Sequence, residues 1–388
     1  VLDVYTLTML ELKERGCAYV DRYAPYYVTS TGCHLFNLAN RKNEVFIEAG
    51  RVSDTRLHII FCAPPGCSKT YWLEQFLRGK QAILAESCVD ITMEASMTGA
   101  GFVGTTRFSD GESVREPGLA ETHSAALCGI EEFSAVTNMF RQSYAGDLDT
   151  ALLQALDSGY VYKRLASGSI KYQTAITLHT GSQPARFDLS SGLGRRFIFI
   201  EFIPTRADFK MLTMARRKSR GIRYNPVRTR LIKDTLKKLS DSLFDINEVE
   251  IDGNFYDFMD KYNIIHYEEA LYEKMLLGYS VMTGNIVGKT LFLEFTPDAQ
   301  KFLADEITHR RNIKKGSEFS QVFAVLEDSG GGAEMDHVRD TLLDYGCDYA
   351  QSMKLIELML SIKLLKQRGK YLLLPDADEK QTKRKWST

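Results

Sequence analysis

Residues Arg56–Thr70 read R-L-H-I-I-F-C-A-P-P-G-C-S-K-T, and the order of their chemistry decides the fold. Leu57–Cys62 is a short, Ile-rich apolar run, the composition of a strand buried on both faces. It breaks at Ala63-Pro64-Pro65-Gly66, and Lys69-Thr70 opens a helical stretch that runs to Leu77. Strand, tight turn and helix N-terminus form the frame of a P-loop. In such a loop, backbone N–H groups and the helix dipole hold phosphates, a Lys reaches the terminal phosphates, and a Ser or Thr hydroxyl meets Mg²⁺. Pro65, Gly66, Cys67, Ser68, Lys69 and Thr70 are the candidate phosphate-binding residues, and Thr70 is also a candidate metal ligand. The pattern wants Gly at the positions of Ala63 and Ser68. Both residues are small, which is what close wrapping around a pyrophosphate requires. The alternative is a Pro-Gly loop that happens to end in Lys-Thr.

At 388 residues, 44% hydrophobic and 26% charged, the chain can bury a sizeable core in two or three domains. A net charge of −1 excludes a global basic field, so any nucleic-acid contact must come from local patches. The seven Cys are scattered, with no C-x-x-C pair and no Cys/His cluster at zinc-ligand spacing. That usage points to a reducing compartment such as the cytoplasm, and away from a structural metal. No apolar run is long enough to span a membrane. The chain opens at Val1 rather than Met, as a fragment or trimmed chain would.

Residues 1–55 read as a helical lead-in, with a break expected at Ala24-Pro25-Tyr26-Tyr27 and a second short helix over His34–Asn40. Gln81–Ala85 is expected as the second strand. Thr98–Gly118 is so rich in Gly, Thr and Ser that it reads as a long loop or hairpin insertion. Ala125–Phe133 is then an apolar strand ending in Glu131-Glu132. Carboxylates at the end of a buried strand are costly unless they face a cleft that holds cations. In that reading Glu131 supports Mg²⁺ and Glu132 polarises an attacking water; the alternative is a solvated strand end. Leu148, Leu152, Ala155 and Leu156 share a helical face that Gly159 can end. Gly159–Tyr172 reads as a β-hairpin with Lys163 and Arg164 near its tip. Thr174–Leu178 and Ile198–Ile203 read as further buried strands, the first followed by polar residues His179–Pro184. Strands alternating with helices around a P-loop imply a doubly wound, mostly parallel α/β sheet.

Between Arg206 and Lys238 there are 12 Lys/Arg against two acids, and between Asp241 and Glu273 ten acids against one base. The two segments are either solvated helices that neutralise each other or, for some of the Arg, phosphate contacts. The region is expected to be an all-helical subdomain. Beyond it, apolar spacing gives three helices over residues 317–362, then a short basic hairpin at Leu364–Leu374, the pattern of a winged helix-turn-helix. Lys380–Lys385 reads as a polar, disordered tail.

In combination these residues resemble the AAA+ motor of the MCM replicative helicases, in a divergent form. Pro65-Gly66-Cys67-Ser68-Lys69-Thr70 is similar to that family's P-loop, which carries a small residue at the position of Ser68. Cys128-Gly129-Ile130-Glu131-Glu132-Phe133 resembles its Walker B element, with Glu131 where Asp is usual. Glu116-Pro117-Gly118-Leu119 resembles the end of its helix-2 insert, and the Tyr160–Tyr172 hairpin its pre-sensor-1 hairpin. The segment Leu193-Gly194-Arg195-Arg196-Phe197 resembles the one carrying the arginine finger. The resemblance implies a domain plan of an AAA+ core over 1–204, a helical lid over 205–315, a winged helix over 316–375 and a tail over 376–388. It implies an ATP- and Mg²⁺-dependent DNA helicase working as a homo-hexamer with other replication proteins, encoded by a phage, plasmid or other mobile element. Glu131, Glu132 and Ser182 would serve catalysis within a protomer, Glu131 would also bind metal, and Arg196 would act on the neighbouring protomer. Lys163 and Arg164 would grip DNA. Three departures stand out: Ala63 in the P-loop, Ser182 where sensor 1 has Asn, and a lid without a recognisable sensor-2 Arg. Two other readings remain open: a MoxR- or chelatase-like ATPase acting on protein, and a nucleotide-gated DNA-binding protein with a degenerate motor.

Overall fold

The computed structural model describes residues 3–64, 66–109, 112–133, 146–165, 168–182, 196–204, 206–219, 224–315, 318–344, 347–361 and 363–375. Helices α1 (Val4–Glu14), α2 (Val20–Asn43) and α3 (Val45–Glu48) precede strand β1 (His58–Cys62) and helix α4 (Lys69–Phe76). Then come β2 (Ile91–Ser96), α5 (Gly99–Val103), the pair β3 (Gly104–Ser109) and β4 (Glu112–Pro117), α6 (Leu119–Thr122) and β5 (Leu127–Glu132). Helix α7 (Gly146–Leu156) leads to the hairpin β6 (Tyr160–Leu165) and β7 (Gly168–Gln173), then β8 (Thr177–Ser182) and β9 (Phe197–Glu201).

Five of these strands form one all-parallel sheet in the order β2-β5-β8-β1-β9. Parallel strands need crossovers that cover both faces, so the central strands are buried throughout; every residue of β1 and β8 is buried. Strand β8 begins three residues later than its apolar run suggested and takes in the polar residues His179, Thr180 and Ser182. They tolerate burial because each finds a partner. The Thr180 hydroxyl donates to the Ile59 carbonyl (3.0 Å) and His179 Nε2 meets Ser30 Oγ (2.8 Å). Burial drives the His179 and His34 imidazoles down to about 3, so both remain neutral.

Other boundaries differ for equally local reasons. Gln81–Ala85 is a turn, not a strand, folded back so that the Ile83 and Leu84 N–H groups donate to Gln75 and Phe76 carbonyls (2.9 and 3.0 Å). The second strand of the sheet is β2 instead. The Gly-rich stretch holds the short helix α5, which was not expected, and then the antiparallel pair β3–β4, which agrees with the hairpin reading. Gly118 is required there, since a Cβ would lie 2.3 Å from the Gly104 nitrogen. Pro25 does not break the lead-in: α2 runs through it, and His34–Asn40 belongs to the same helix. The carbonyl that Pro25 leaves without its helical N–H is that of Asp21, in the first turn, where water has access. Beyond it, Tyr23 and Tyr27 anchor α2 on Phe61, Trp72 and Phe76, with ring centroids 5.1–6.0 Å apart.

The region after β9 holds α8 (Arg206–Ser219), α9 (Pro226–Leu243), β10 (Glu248–Ile251), α10 (Asn254–Lys261) and α11 (His266–Thr283), then β11 (Ile286–Val287), β12 (Thr290–Leu293) and α12 (Pro297–Lys315). It is not all-helical, because β10, β12 and β11 form a three-stranded sheet. The alternation E-V-E-I over Glu248–Ile251 carries that signal in the sequence. Helix α11 crosses α2 at glycines: a Cβ on Gly278 would lie 2.2 Å from the Thr29 carbonyl oxygen, and one on Gly32 2.3 Å from the Gly278 oxygen. A single hydrophobic cluster therefore runs from Val4 to Ile307. The last unit comprises α13 (Glu318–Asp328), β13 (Gly332–Glu334), α14 (Met335–Asp344), α15 (Tyr349–Ser361), β14 (Lys366–Arg368) and β15 (Tyr371–Leu373). It has its own core around Leu326, Val338, Leu342, Ile356, Met359 and Leu372. Strand β13 joins the expected hairpin as a third antiparallel strand. The expected disordered tail lies outside the described residues. No helix among the described residues is long and apolar enough to cross a membrane.

Candidate nucleotide site

The C-terminal ends of β1, β8 and β5 lie side by side, and each delivers one part of the site. The loop after β1 is pinned at its base: the Ala63 N–H donates to the Ser182 carbonyl (3.1 Å) and the Cys67 N–H to the Pro64 carbonyl (3.2 Å). Gly66 and Ser68 both have positive φ, +76° and +73°. Glycine is free there, but Ser68 is held in a left-handed conformation that costs roughly 1–2 kcal/mol. The P-loop preference for Gly at this position thus has a local cause, and Ser, a small polar residue, meets it with strain. Ala63 needs no such latitude; it lies in ordinary backbone and is fully buried. Ser68 caps α4, so the loop presents the helix N-terminus to the open side, where a Cβ on Gly66 would meet nothing within 4 Å. Pro65 lies outside the described residues.

Lys69, on the first turn of α4, brings Nζ within 3.7 Å of Glu132 Oε2. Burial lowers the Lys69 ammonium below its ordinary value, and Glu132 opposes that shift. Glu131 is not part of this pair. Successive strand residues point to opposite faces, and the Glu131 carboxylate is held by Arg78, just beyond α4. The two acids read together in the sequence are therefore divided: Glu132 faces the loop lysine and Glu131 an arginine. Thr70 follows Lys69 on the same turn and is half-buried. Ser182 ends β8 opposite Cys62 and is fully buried. Its neighbour Gln183 lies outside the described residues, as does Arg195.

Arg196 is at the other end of the sheet. It precedes Phe197, which is registered with His58 at the start of β1, whereas Glu201 at the end of β9 is registered with Cys62. Its guanidinium pairs with Asp157 (2.6 Å). The same Asp157 accepts from Arg56 through its backbone carbonyl (2.7 Å), and Arg56 is bound on its other side by Asp54 (3.0 and 3.1 Å). Lys163 and Arg164 also separate. Lys163 is registered with buried Ile170 and is half-buried, whereas Arg164 is exposed on the opposite face.

Sequence reasoning missed Arg78, Asp157 and Glu201. Arg78 and Asp157 act only through contacts across the fold, so nothing local marks them. Glu201 closes an apolar strand much as Glu131-Glu132 do, a signal that was there to be used. Burial pushes its carboxyl up to about 6. Its N–H donates to His309 Nε2 (3.1 Å), tying α12 to the edge of the sheet. That bond needs a neutral imidazole, and burial lowers His309 to about 4.

A cavity of about 940 Å³ opens beside the loop, lined among others by Gly66, Ser68, Tyr71, Arg78, Phe209 and Arg216. Its size suits a small-molecule ligand, and Arg15, Lys80, Arg78 and Arg216 make its wall basic. Among the described residues no group of three or more His, Cys, Asp or Glu could hold a metal ion. Mg²⁺ needs none, because it keeps several waters and binds through one or two protein oxygens plus phosphates. Thr70, half-buried on the first turn of α4, offers one such oxygen, whereas Glu131, the other metal ligand expected from the sequence, is held by Arg78. No protein-family model matches the chain, and no curated protein matches its sequence.

Proposed function

We propose that this chain is an AAA+ ATPase of the MCM-like kind, a motor that uses ATP hydrolysis to translocate on and unwind DNA as a ring of identical subunits. The observation that carries the reading is the Lys69–Glu132 pair held across β8. With β8 between them, the loop strand and the acid strand stand about 10 Å apart, and Lys69 spans the gap to Glu132. A terminal phosphate would enter by parting this ion pair, with Lys69 turning to the phosphate and Glu132 to a water behind it. Lys69 and the loop N–H groups would hold the phosphates, and the base would enter the adjoining cavity. Mg²⁺, when bound, would neutralise phosphate charge next to the Thr70 hydroxyl. Glu132 would orient the attacking water and accept its proton, and Ser182 would support the same water from the strand between.

Arg196 lies one strand length, roughly 16 Å, from its own loop, so it would serve the site of a neighbouring subunit. The small sheet and helices of residues 318–373 support reading the last unit as a winged helix, a fold suited to holding duplex DNA. The Arg78–Glu131 pair favours a second reading, a slow or dead motor that binds nucleotide to gate DNA binding, because a carboxylate clamped by Arg cannot ligate metal without releasing it.

The test is steady-state ATP turnover with and without single-stranded DNA. Turnover that rises several-fold with DNA supports a DNA motor. Turnover that ignores DNA points to a protein-remodelling ATPase, and DNA binding that depends on ATP without turnover points to the gated binder.

A further inference from the structure

The β6–β7 hairpin presents two unlike faces. Val161 and Ile170 are buried, each 1% exposed, and set the inner face on the core. The outer face carries Tyr160, Tyr162 and Arg164 from β6, registered with Gln173, Lys171 and Ser169 from β7. Tyr160 and Tyr162 are 56% and 51% exposed, among the most exposed large hydrophobic side chains described. A hairpin that needed only packing would place such rings inward, as it does Val161. Instead, two aromatic rings stand in water, Tyr162 beside both Arg164 and Lys171 and Tyr160 beyond it, with no carboxylate among the six residues. Arg164 sits at the hydroxyl edge of Tyr162, its Nε donating to the phenol oxygen (2.7 Å), which fixes the ring's orientation.

We infer that this outer face is a base-stacking surface for single-stranded DNA, with Tyr160 and Tyr162 as the stacking rings and Arg164 and Lys171 as phosphate contacts. It rests on the proposed DNA function, but it replaces a grip on phosphate alone with one that also holds bases. Aromatic stacking is tolerant of sequence because every base has a π face, so it suits a protein that must move over any sequence. Geometry also sets the strandedness. Residues two apart on a strand are about 6.6 Å apart, about twice the 3.4 Å spacing of bases along a duplex strand. Bases reach both rings only if they are unstacked, as a single strand allows.

The 388-residue chain is titrated with a fluorescein-labelled thymidine oligonucleotide, an abasic oligonucleotide of equal length, and a duplex, across a salt series. Tyr160→Ala and Tyr162→Ala should each weaken binding to the thymidine strand by roughly 5- to 100-fold. They should leave the salt slope and the abasic-strand affinity unchanged, and Tyr160→Phe should bind as the wild type does. Arg164→Ala should instead reduce the log–log salt slope by about 0.7. Quenching of 2-aminopurine in the strand should disappear with the Tyr variants. Wild-type affinity in both Tyr→Ala variants, or equal wild-type affinity for abasic and normal strands, overturns the stacking surface while leaving a phosphate-only grip intact. Loss of binding that tracks a change in sedimentation assigns the face to contact between copies and overturns it too. A wild-type chain that binds no single strand at low salt removes the DNA function itself.

Discussion

Arg56 and Arg164 place the same guanidinium in two opposite settings. Arg56 is 1% exposed at the base of the sheet, and every direction of its fork is used: Asp54 on one side, the Ile176 and Asp157 carbonyls on the other. Arg164 lies on the outer face of the hairpin and, among the described residues, its hydrogen-bond partner is a neutral one, the Tyr162 hydroxyl. In the dry region a charge is committed to the fold, and its removal strands its partners. In the wet region a charge contributes little to stability and is available to an external phosphate. The comparison teaches that formal charge along this sequence does not locate function; the number of partners each charge already has does.

The largest expected effect concerns Arg196, which sits in the dry region yet is proposed to act outside its own subunit. Arg196→Ala should lower ATP turnover by roughly 10³- to 10⁵-fold, the range for an arginine supplied in trans. Mixing it with inactive Lys69→Ala protein should restore part of the activity, because mixed rings contain intact composite sites. If exchanging rings stay inactive, Arg196 belongs with Arg56 as a structural residue paired to Asp157.

Next in size is the pair of arginines itself. Arg56→Leu should cost about 3–5 kcal/mol in chemical denaturation, since it leaves Asp54 buried and uncompensated. Arg164→Leu should leave the denaturation midpoint close to that of the wild type. Equal costs would break the comparison.

Glu306 sharpens it through pH. The residue is fully buried, and burial raises its carboxyl to about 7 despite Arg310 and the Tyr26 hydroxyl, which donates to it (2.8 Å). A raised carboxyl is an acid whose folded form holds its proton. Its favourable contribution is complete below about 4.5 and is lost as pH climbs through about 7. Glu306→Gln keeps an acceptor for Tyr26 and should therefore gain stability over the wild type as pH rises from 5 to 8, by about 1–3 kcal/mol. A difference that is flat with pH would mean the carboxyl titrates normally.

The smallest effect divides the hairpin. Arg164→Ala should reduce the salt slope of DNA binding, and Lys163→Ala, half-buried on the inner face beside Ile170, should change it less. Equal slopes would return both residues to one grip.

The strand–loop–helix of residues 57–77 was legible because its signals are local: an apolar run, Gly66 at positive φ, and a helix opened by Lys69-Thr70. So was the hairpin, from its alternation. What could not be read was set by contacts between distant segments. Helix α2 passes through Pro25 because Tyr23 and Tyr27 pack on Trp72 and Phe76, and the polar half of β8 is a strand because Ile59 and Ser30 receive its side chains. Within the site, Lys69 was legible as the residue that opens the helix after the loop, and Ser182 and Glu132 as residue types at or just beyond strand ends. The separate pairing of Glu131 with Arg78 was not, since it depends on which face each acid takes and on an arginine 53 residues away.

The most direct test of the central claim is single-turnover ATP hydrolysis by the wild type, Glu132→Gln, Glu131→Gln and Lys69→Ala, with nucleotide binding measured on the same samples. The expected result is that Lys69→Ala fails to bind ATP, while Glu132→Gln binds it and does not hydrolyse it, since an amide cannot accept the proton of water. Glu131→Gln, released from Arg78, should retain a larger share of turnover than Glu132→Gln. Wild-type turnover in Glu132→Gln would contradict the account, because the carboxylate facing Lys69 would then have no part in the chemistry.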